Sequence, residues 1–172
     1  MHAPIEQVVL VAEDGKAIGA ADKALVHTEE TPLHLAFSCH VYGLDGRVLV
    51  TRRALGKRTW PGVWTNSFCG HPAPGERQED AIARRAAHEL ALELSNIELV
   101  LPDFRYRAVD ASGIVENEIC PVYRAVTTSD PVANPDEVAE WAWLEPSALL
   151  TAAAAAPFAF SPWLVWQLEQ LR

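Results

Sequence analysis

Turn signals cut this chain into short, strand-length runs, and that punctuation limits its possible folds more than any other feature. Glu13-Asp14-Gly15, Leu44-Asp45-Gly46 and Asp110-Ala111-Ser112-Gly113 each follow an apolar or alternating run. A glycine at such a corner supplies the positive φ that a tight reversal needs. The runs predict strands at 8–12, 33–42, 47–52, 104–109, 114–126 and 140–144, with hairpins across the second and third turns. Residues 57–63 hold Trp60-Pro61-Gly62 and read as a loop with bulky anchors. One long stretch keeps a different period. Over 76–94, Ala81, Ile82, Ala86, Leu90 and Leu94 share a helical face, while Glu79, Asp80, Arg84, Arg85 and Glu89 fall mostly elsewhere. Two more helices are predicted at 146–155 and 162–171. Strands outnumber helices and most joins are hairpins, so the expectation is an α+β sandwich of mixed sheets with flanking helices. At roughly 150 residues per domain, a single domain spans 1–172.

Charge and cysteine usage narrow the function classes. The chain carries 23 acids against 14 bases, a net charge of −9. Such a chain repels nucleic-acid phosphates, so nucleic acid is not an expected partner. It can still hold a phosphate ligand where its few bases cluster or a metal intervenes. No apolar run approaches the roughly 18 residues of a membrane span, so no membrane insertion is expected. Residues 1–15 lack a basic start and a small-residue cleavage site, so no signal peptide is expected. Cys39, Cys69 and Cys120 lie far apart without a CxxC pair, which suits a reducing, cytoplasmic setting.

Several groups of residues carry potential chemistry. Gly70-His71-Pro72-Ala73-Pro74-Gly75-Glu76 is a Gly/Pro loop that opens the long helix, whose free N–H groups suit an anion. Glu89 on that helix suits a hard divalent cation bridging to a diphosphate; as periodicity alone has it, the helix is an ordinary amphipathic one. His27, His34 and His71 are possible imidazole ligands. Glu116 and Glu118, at i and i+2 of a strand, share one face, where a cation would relieve their repulsion. Together they suit Zn²⁺, Mn²⁺ or Mg²⁺, provided they converge. His2, His40 and His88 read as ordinary residues. Cys69 sits between a possible ligand and a glycine turn, where a thiol can be reactive. Trp60, Trp64, Trp141, Trp143, Trp163 and Trp166 are mostly core candidates, one of which could face a developing positive charge. Lys23, Arg53, Lys57 and Arg85 are candidate phosphate partners or solvated surface.

Residues 70–92 resemble the Nudix box, G-x5-E-x7-R-E-U-x-E-E-x-G-U, through Gly70, Glu76, Arg84, Glu89 and Leu92. Arg85 and His88 replace two box glutamates, and Ala91 replaces the late glycine. The missing glycine implies a helix end that runs on without a left-handed residue. Further stretches resemble one branch of that superfamily, the type 1 isopentenyl-diphosphate delta-isomerases. They include Leu33-His34-Leu35-Ala36-Phe37-Ser38, Trp60-Pro61-Gly62-Val63-Trp64-Thr65-Asn66-Ser67, Cys69-Gly70-His71-Pro72, Asp103-Phe104-Arg105-Tyr106-Arg107-Ala108, Gly113-Ile114-Val115-Glu116-Asn117-Glu118 and Phe160-Ser161-Pro162-Trp163.

The resemblance implies a Nudix-like fold in which about the first 30 residues form an extension carrying a metal ligand. It implies His27, His34, His71, Glu116 and Glu118 as ligands of one divalent metal (Zn²⁺, Mn²⁺ or Mg²⁺). Glu89 would hold a Mg²⁺ that arrives with the substrate diphosphate, and Lys23, Arg53, Lys57 and Arg85 would pair with that diphosphate. Cys69 and Glu118 would form the acid–base pair, with Cys69 as thiolate base and Glu118 as donor. Tyr106 would assist Glu118, and Trp163 would stabilise a carbocation. The implied reaction interconverts isopentenyl and dimethylallyl diphosphate, with proton entry and exit on opposite faces. The alternatives are a Nudix-type diphosphate hydrolase and an inactive binding relative.

Overall fold

The computed structural model describes residues 6–172, so His2 lies outside the described residues. The chain opens with the hairpin β1 (Gln7–Val11) and β2 (Ala17–Asp22), then helix α1 (Lys23–Val26). Strands β3 (His34–Leu35), β4 (Phe37–Tyr42), β5 (Val48–Arg53), β6 (Trp64–Thr65) and β7 (Phe68–Gly70) precede the long helix α2 (Gln78–Leu90). Strands β8 (Ser95–Leu101), β9 (Arg105–Val109), β10 (Val115–Ile119), β11 (Val122–Val126) and β12 (Val138–Leu144) follow, then helices α3 (Pro146–Ala155) and α4 (Pro162–Gln170). The first sheet runs β2-β1-β3-β10-β9, and the second runs β12-β5-β4-β11-β8 with β6 beside β5 and β7 beside β4. Both are mixed, because β3 pairs β10 and β4 pairs β11 in parallel. This is the expected α+β architecture in one domain.

Alternation along β4 and β5 sorts the core. Phe37, Cys39, Val41 and Leu49 pack with Ala81, Ile82, Ala86 and Leu90 of α2. Val48 and Val50 point the other way, onto Leu149, Ala153, Leu164 and Leu168 of α3 and α4. The second sheet is thus covered on both faces. Each fully buried leucine, isoleucine or phenylalanine contributes about 1.5–3 kcal/mol.

Two predicted strands prove to be two strands each. The run 33–42 breaks at Ala36, and the run 114–126 breaks at Cys120-Pro121. At both breaks the chain leaves the first sheet and enters the second. The crossings lie side by side, tied by Ala36 N–H to Ile119 O at 2.9 Å and Ser38 N–H to Pro121 O at 3.1 Å. This double crossing positions the site, since it brings residues of both sheets to one place. The predicted helix 76–94 is shorter, and it ends at Ala91 with φ 52° and ψ 34°, a left-handed residue after all. The N–H groups of Ala91 and Leu92 reach back to Ala87 O and Ala86 O, and satisfying those carbonyls offsets the strain of a left-handed alanine. Strands β2, β6, β7 and β8 and helix α1 lie outside the predicted elements; β2 and β8 are largely exposed edge strands, and β2 has no apolar alternation.

Candidate active site

Five residues expected as metal ligands meet at the parallel β3–β10 pair, where Glu118 lies in register with His34. His27 caps the C-terminus of α1, and His71 follows β7. His71 Nε2 hydrogen-bonds Glu118 Oε1 at 3.0 Å, and His34 Nε2 approaches the same oxygen at 3.3 Å. His27 Nε2 lies 3.0 Å from Glu116 Oε2, and Thr59 donates to the other oxygen of Glu116 at 2.7 Å. One ligand atom from each of His27, His34, His71 and Glu118 lies within 4.8 Å of the others. The donor set fits a divalent cation. His27 Nε2, His34 Nε2 and His71 Nδ1 are buried without a hydrogen-bond partner. His34 Nδ1 donates to Pro32 O at 2.9 Å, so in the neutral ring Nε2 carries the lone pair and faces inward. Burial alone would raise the pKa of Glu118, but His34 and His71 outweigh it and hold the carboxyl well below the usual range. Burial opposes a charged His34, yet Glu118 overrides it and raises that imidazole; at His71 burial wins and lowers it.

Cys69 comes from the other sheet, on β7 opposite Ser38 of β4. Its thiol donates to Asn66 Oδ1 at 3.4 Å and lies 3.2 Å from Ser38 Oγ. Burial pushes this thiol up to about 11. Burial thus favours the protonated form of the Cys69 thiol, and its proton is directed at Asn66. The Tyr106 hydroxyl donates to Glu118 Oε2 at 3.0 Å, and burial raises its own pKa well above the ordinary value. Trp163 is 2% exposed. Its ring lies 5.6 Å from that of Tyr106, with Trp60 edge-on at 5.3 Å and the Arg53 guanidinium carbon at 5.4 Å.

Asn66 holds sulfur and aromatic wall together, a role not anticipated from the sequence. Its Nδ2 donates to the carbonyls of Cys39 and Phe68, which fixes Oδ1 toward Cys69 and toward Trp163 Nε1 at 3.2 Å. Its type alone does not distinguish it from a turn asparagine.

A cavity of about 290 Å³ joins these groups to the basic residues. Every expected site residue lines it except His34, which is fully buried. The bases already have partners. Lys23 pairs with Glu6 at 2.6 Å, and Arg53 donates to the carbonyls of Thr59 and Trp60. Lys57 pairs with Glu137, and Arg85 pairs with Glu89 and, at 3.4 Å, with Glu137. Burial opposes the charge on Glu137, but Lys57 outweighs it and lowers its pKa. Glu137 was also not anticipated, since it sits in an aperiodic loop before β12. The walls thus combine proton-bearing groups, aromatic rings and five cationic side chains, Arg58 among them, a set suited to a small anion with an apolar part.

The fold and the helix α2 with its preceding loop define a Nudix domain, and the family described as the NUDIX domain matches residues 32–164. A crystal structure from Deinococcus radiodurans superposes with a TM-score of 0.74 at 23% identity, covering 96% of this chain and 98% of that one, which supports the fold. A protein of Leifsonia xyli subsp. xyli named isopentenyl-diphosphate Delta-isomerase is 64% identical, over 99% of this chain and 94% of its own length. One of the same name from Agromyces mediolanus is 65% identical, over 96% of this chain and 81% of its own. The chain belongs to the isopentenyl-diphosphate Delta-isomerase family of Nudix enzymes.

Proposed function

We propose that this chain interconverts isopentenyl diphosphate and dimethylallyl diphosphate by adding a proton to one carbon of the allyl unit and removing one from another. The observation that carries this reading is the single cavity shared by Cys69, Glu118, Tyr106, Trp163 and the basic residues. Moving an unactivated double bond passes through a species resembling a tertiary carbocation, which water would trap. Trp163, packed between Trp60 and Tyr106, offers a dry π face, worth about 2 kcal/mol to a desolvated cation. Cys69 and Glu118 come from different sheets and would serve opposite faces of the allyl unit. Direction decides which gives and which takes the proton, and each such group typically contributes ~10²–10⁴-fold. Tyr106 holds Glu118 in place through its hydroxyl.

The diphosphate serves as a handle. Lys23, Arg53, Lys57 and Arg85 would exchange their present partners for its oxygens, so remote binding energy positions the alkene. Glu89 would hold the Mg²⁺ that accompanies it. His27, His34, His71, Glu116 and Glu118 would hold a second divalent ion (Zn²⁺, Mn²⁺ or Mg²⁺), which when bound offsets the clustered negative charge and polarises the Glu118 carboxyl. A hydrolase reading is disfavoured by Arg85, a buried guanidinium where the box has an acid. Among the described residues no helix is long and apolar enough to cross a membrane. The three cysteines are free thiols, in keeping with a cytoplasmic enzyme. The test is turnover of isopentenyl diphosphate followed by NMR. Cys69→Ala should lose most turnover while keeping its circular dichroism and melting transition; near-normal turnover would overturn the reading.

A further inference from the structure

Behind Cys69 runs a file of buried polar groups that the proposed chemistry leaves unused. Ser38 and His40 on β4, Gln167 on α4 and Cys120 after β10 are each at most 2% exposed. His40 Nε2 lies 2.8 Å from Gln167 Oε1, and Gln167 Nε2 donates to Ser38 Oγ at 2.9 Å. Ser38 Oγ in turn lies 3.2 Å from Cys69 Sγ and 3.4 Å from Cys120 Sγ.

Two donor directions in this file are fixed by amide chemistry. An amide oxygen only accepts, so His40 Nε2 carries the proton, and an amide nitrogen only donates, so Ser38 Oγ accepts from Gln167. Either partner can donate across the 3.4 Å contact between Ser38 Oγ and Cys120 Sγ. The single hydroxyl hydrogen of Ser38 is left for a sulfur, and Cys69 Sγ at 3.2 Å is the nearer of the two. The proton of Cys69 is directed elsewhere, to Asn66 Oδ1, which two carbonyl contacts on Nδ2 lock in place. The sulfur therefore sits between one donor and one acceptor, and neither Ser38 nor Asn66 itself lines the cavity.

We propose that Ser38 is a positioning residue for Cys69, its hydroxyl aimed at the sulfur by Gln167 and His40. This rests on the reading that Cys69 exchanges a proton with the substrate. The contact fixes the sulfur and the direction of its S–H bond, and a hydrogen bond into a group that gains negative charge contributes on the order of ten-fold in rate.

The experiment compares the wild type with Ser38→Ala, Gln167→Glu and Cys69→Ala. It measures kcat and KM for isopentenyl diphosphate and the infrared S–H band of Cys69, isolated by difference against Cys69→Ala. Ser38→Ala should lower kcat about ten-fold with KM held within about two-fold, and should shift the S–H band. Gln167→Glu is nearly isosteric but accepts from both neighbours, so it turns the Ser38 hydroxyl away from sulfur. It should shift the same band, which keeps the test decisive even where Ser38→Ala does not fold. An unshifted band in the folded Gln167→Glu protein overturns the proposal. So does a Ser38→Ala kcat equal to wild type while Cys69→Ala is inactive, which leaves the role of Cys69 standing. An active Cys69→Ala overturns that role as well.

Discussion

Arg85 is a base of the proposed diphosphate site and also the counter-ion that makes two buried carboxylates tolerable. Its side chain is 5% exposed, against 9% for Glu89 and 17% for Glu137. Arg85→Met keeps much of the aliphatic volume and removes the charge. Glu89 is then left with no charged partner among the described residues, whereas Glu137 keeps Lys57. Removing one member of a buried ion pair costs about 3–5 kcal/mol, and the surviving Lys57 contact places this case near the lower end. For a domain of this size, a loss of about 3 kcal/mol lowers Tm by roughly 6–12 °C. Pairing Arg85→Met with Glu89→Gln removes the stranded charge, so the double variant should melt above Arg85→Met alone. The assay is thermal and denaturant unfolding of wild type, both single variants and the double variant, with a chelator present. If Arg85→Met melts within about 2 °C of wild type, or the double variant gains nothing over it, the counter-ion argument is refuted.

Gly70 lies where β7 meets α2, and a Cβ there would fall 2.7 Å from Phe37 Cζ and 2.8 Å from Arg85 Cγ. Gly70→Ala should therefore destabilise by about 1–3 kcal/mol through overpacking, seen as a lower denaturant midpoint at unchanged m-value. Burial holds the His40 imidazole below its ordinary pKa. The unfolded chain takes up a proton there near pH 6.5 while the folded one resists, so stability falls as pH drops below that value. His40→Asn should flatten this acid-side loss, and identical slopes from pH 7 to 5 in calorimetry would count against it. Glu118→Gln should lower both turnover and occupancy of the His/Glu centre, and full metal occupancy by elemental analysis would remove Glu118 from the ligand set.

The turns were legible because Asp-Gly and Ser-Gly corners announce themselves locally, and α3 was placed at its observed bounds. The crossings at Ala36 and Cys120-Pro121 were not, since a strand that changes sheets keeps its apolar pattern while its partners change. The left-handed Ala91 is not legible in the sequence, because helix-end bonds outweigh alanine's preference. In the site, histidines, carboxylates and bases were legible from residue type and family likeness. Asn66, Ser38, Gln167 and Glu137 were not, because each acts through a partner remote in sequence. Gln167 meets Ser38 across 129 positions, a separation no local pattern reports.

The central wager is that two proton-bearing groups from different sheets flank one allyl unit. It is tested most directly by turning over isopentenyl diphosphate that carries deuterium stereospecifically at the carbon that loses a proton and at the terminal methylene, in tritiated water, and analysing the chirality of the new methyl group and the loss of label. Isotope entering on the face opposite to the one that loses its label is the expected result. Entry and loss on the same face would mean a single group does both, and Cys69 and Glu118 could not divide the work.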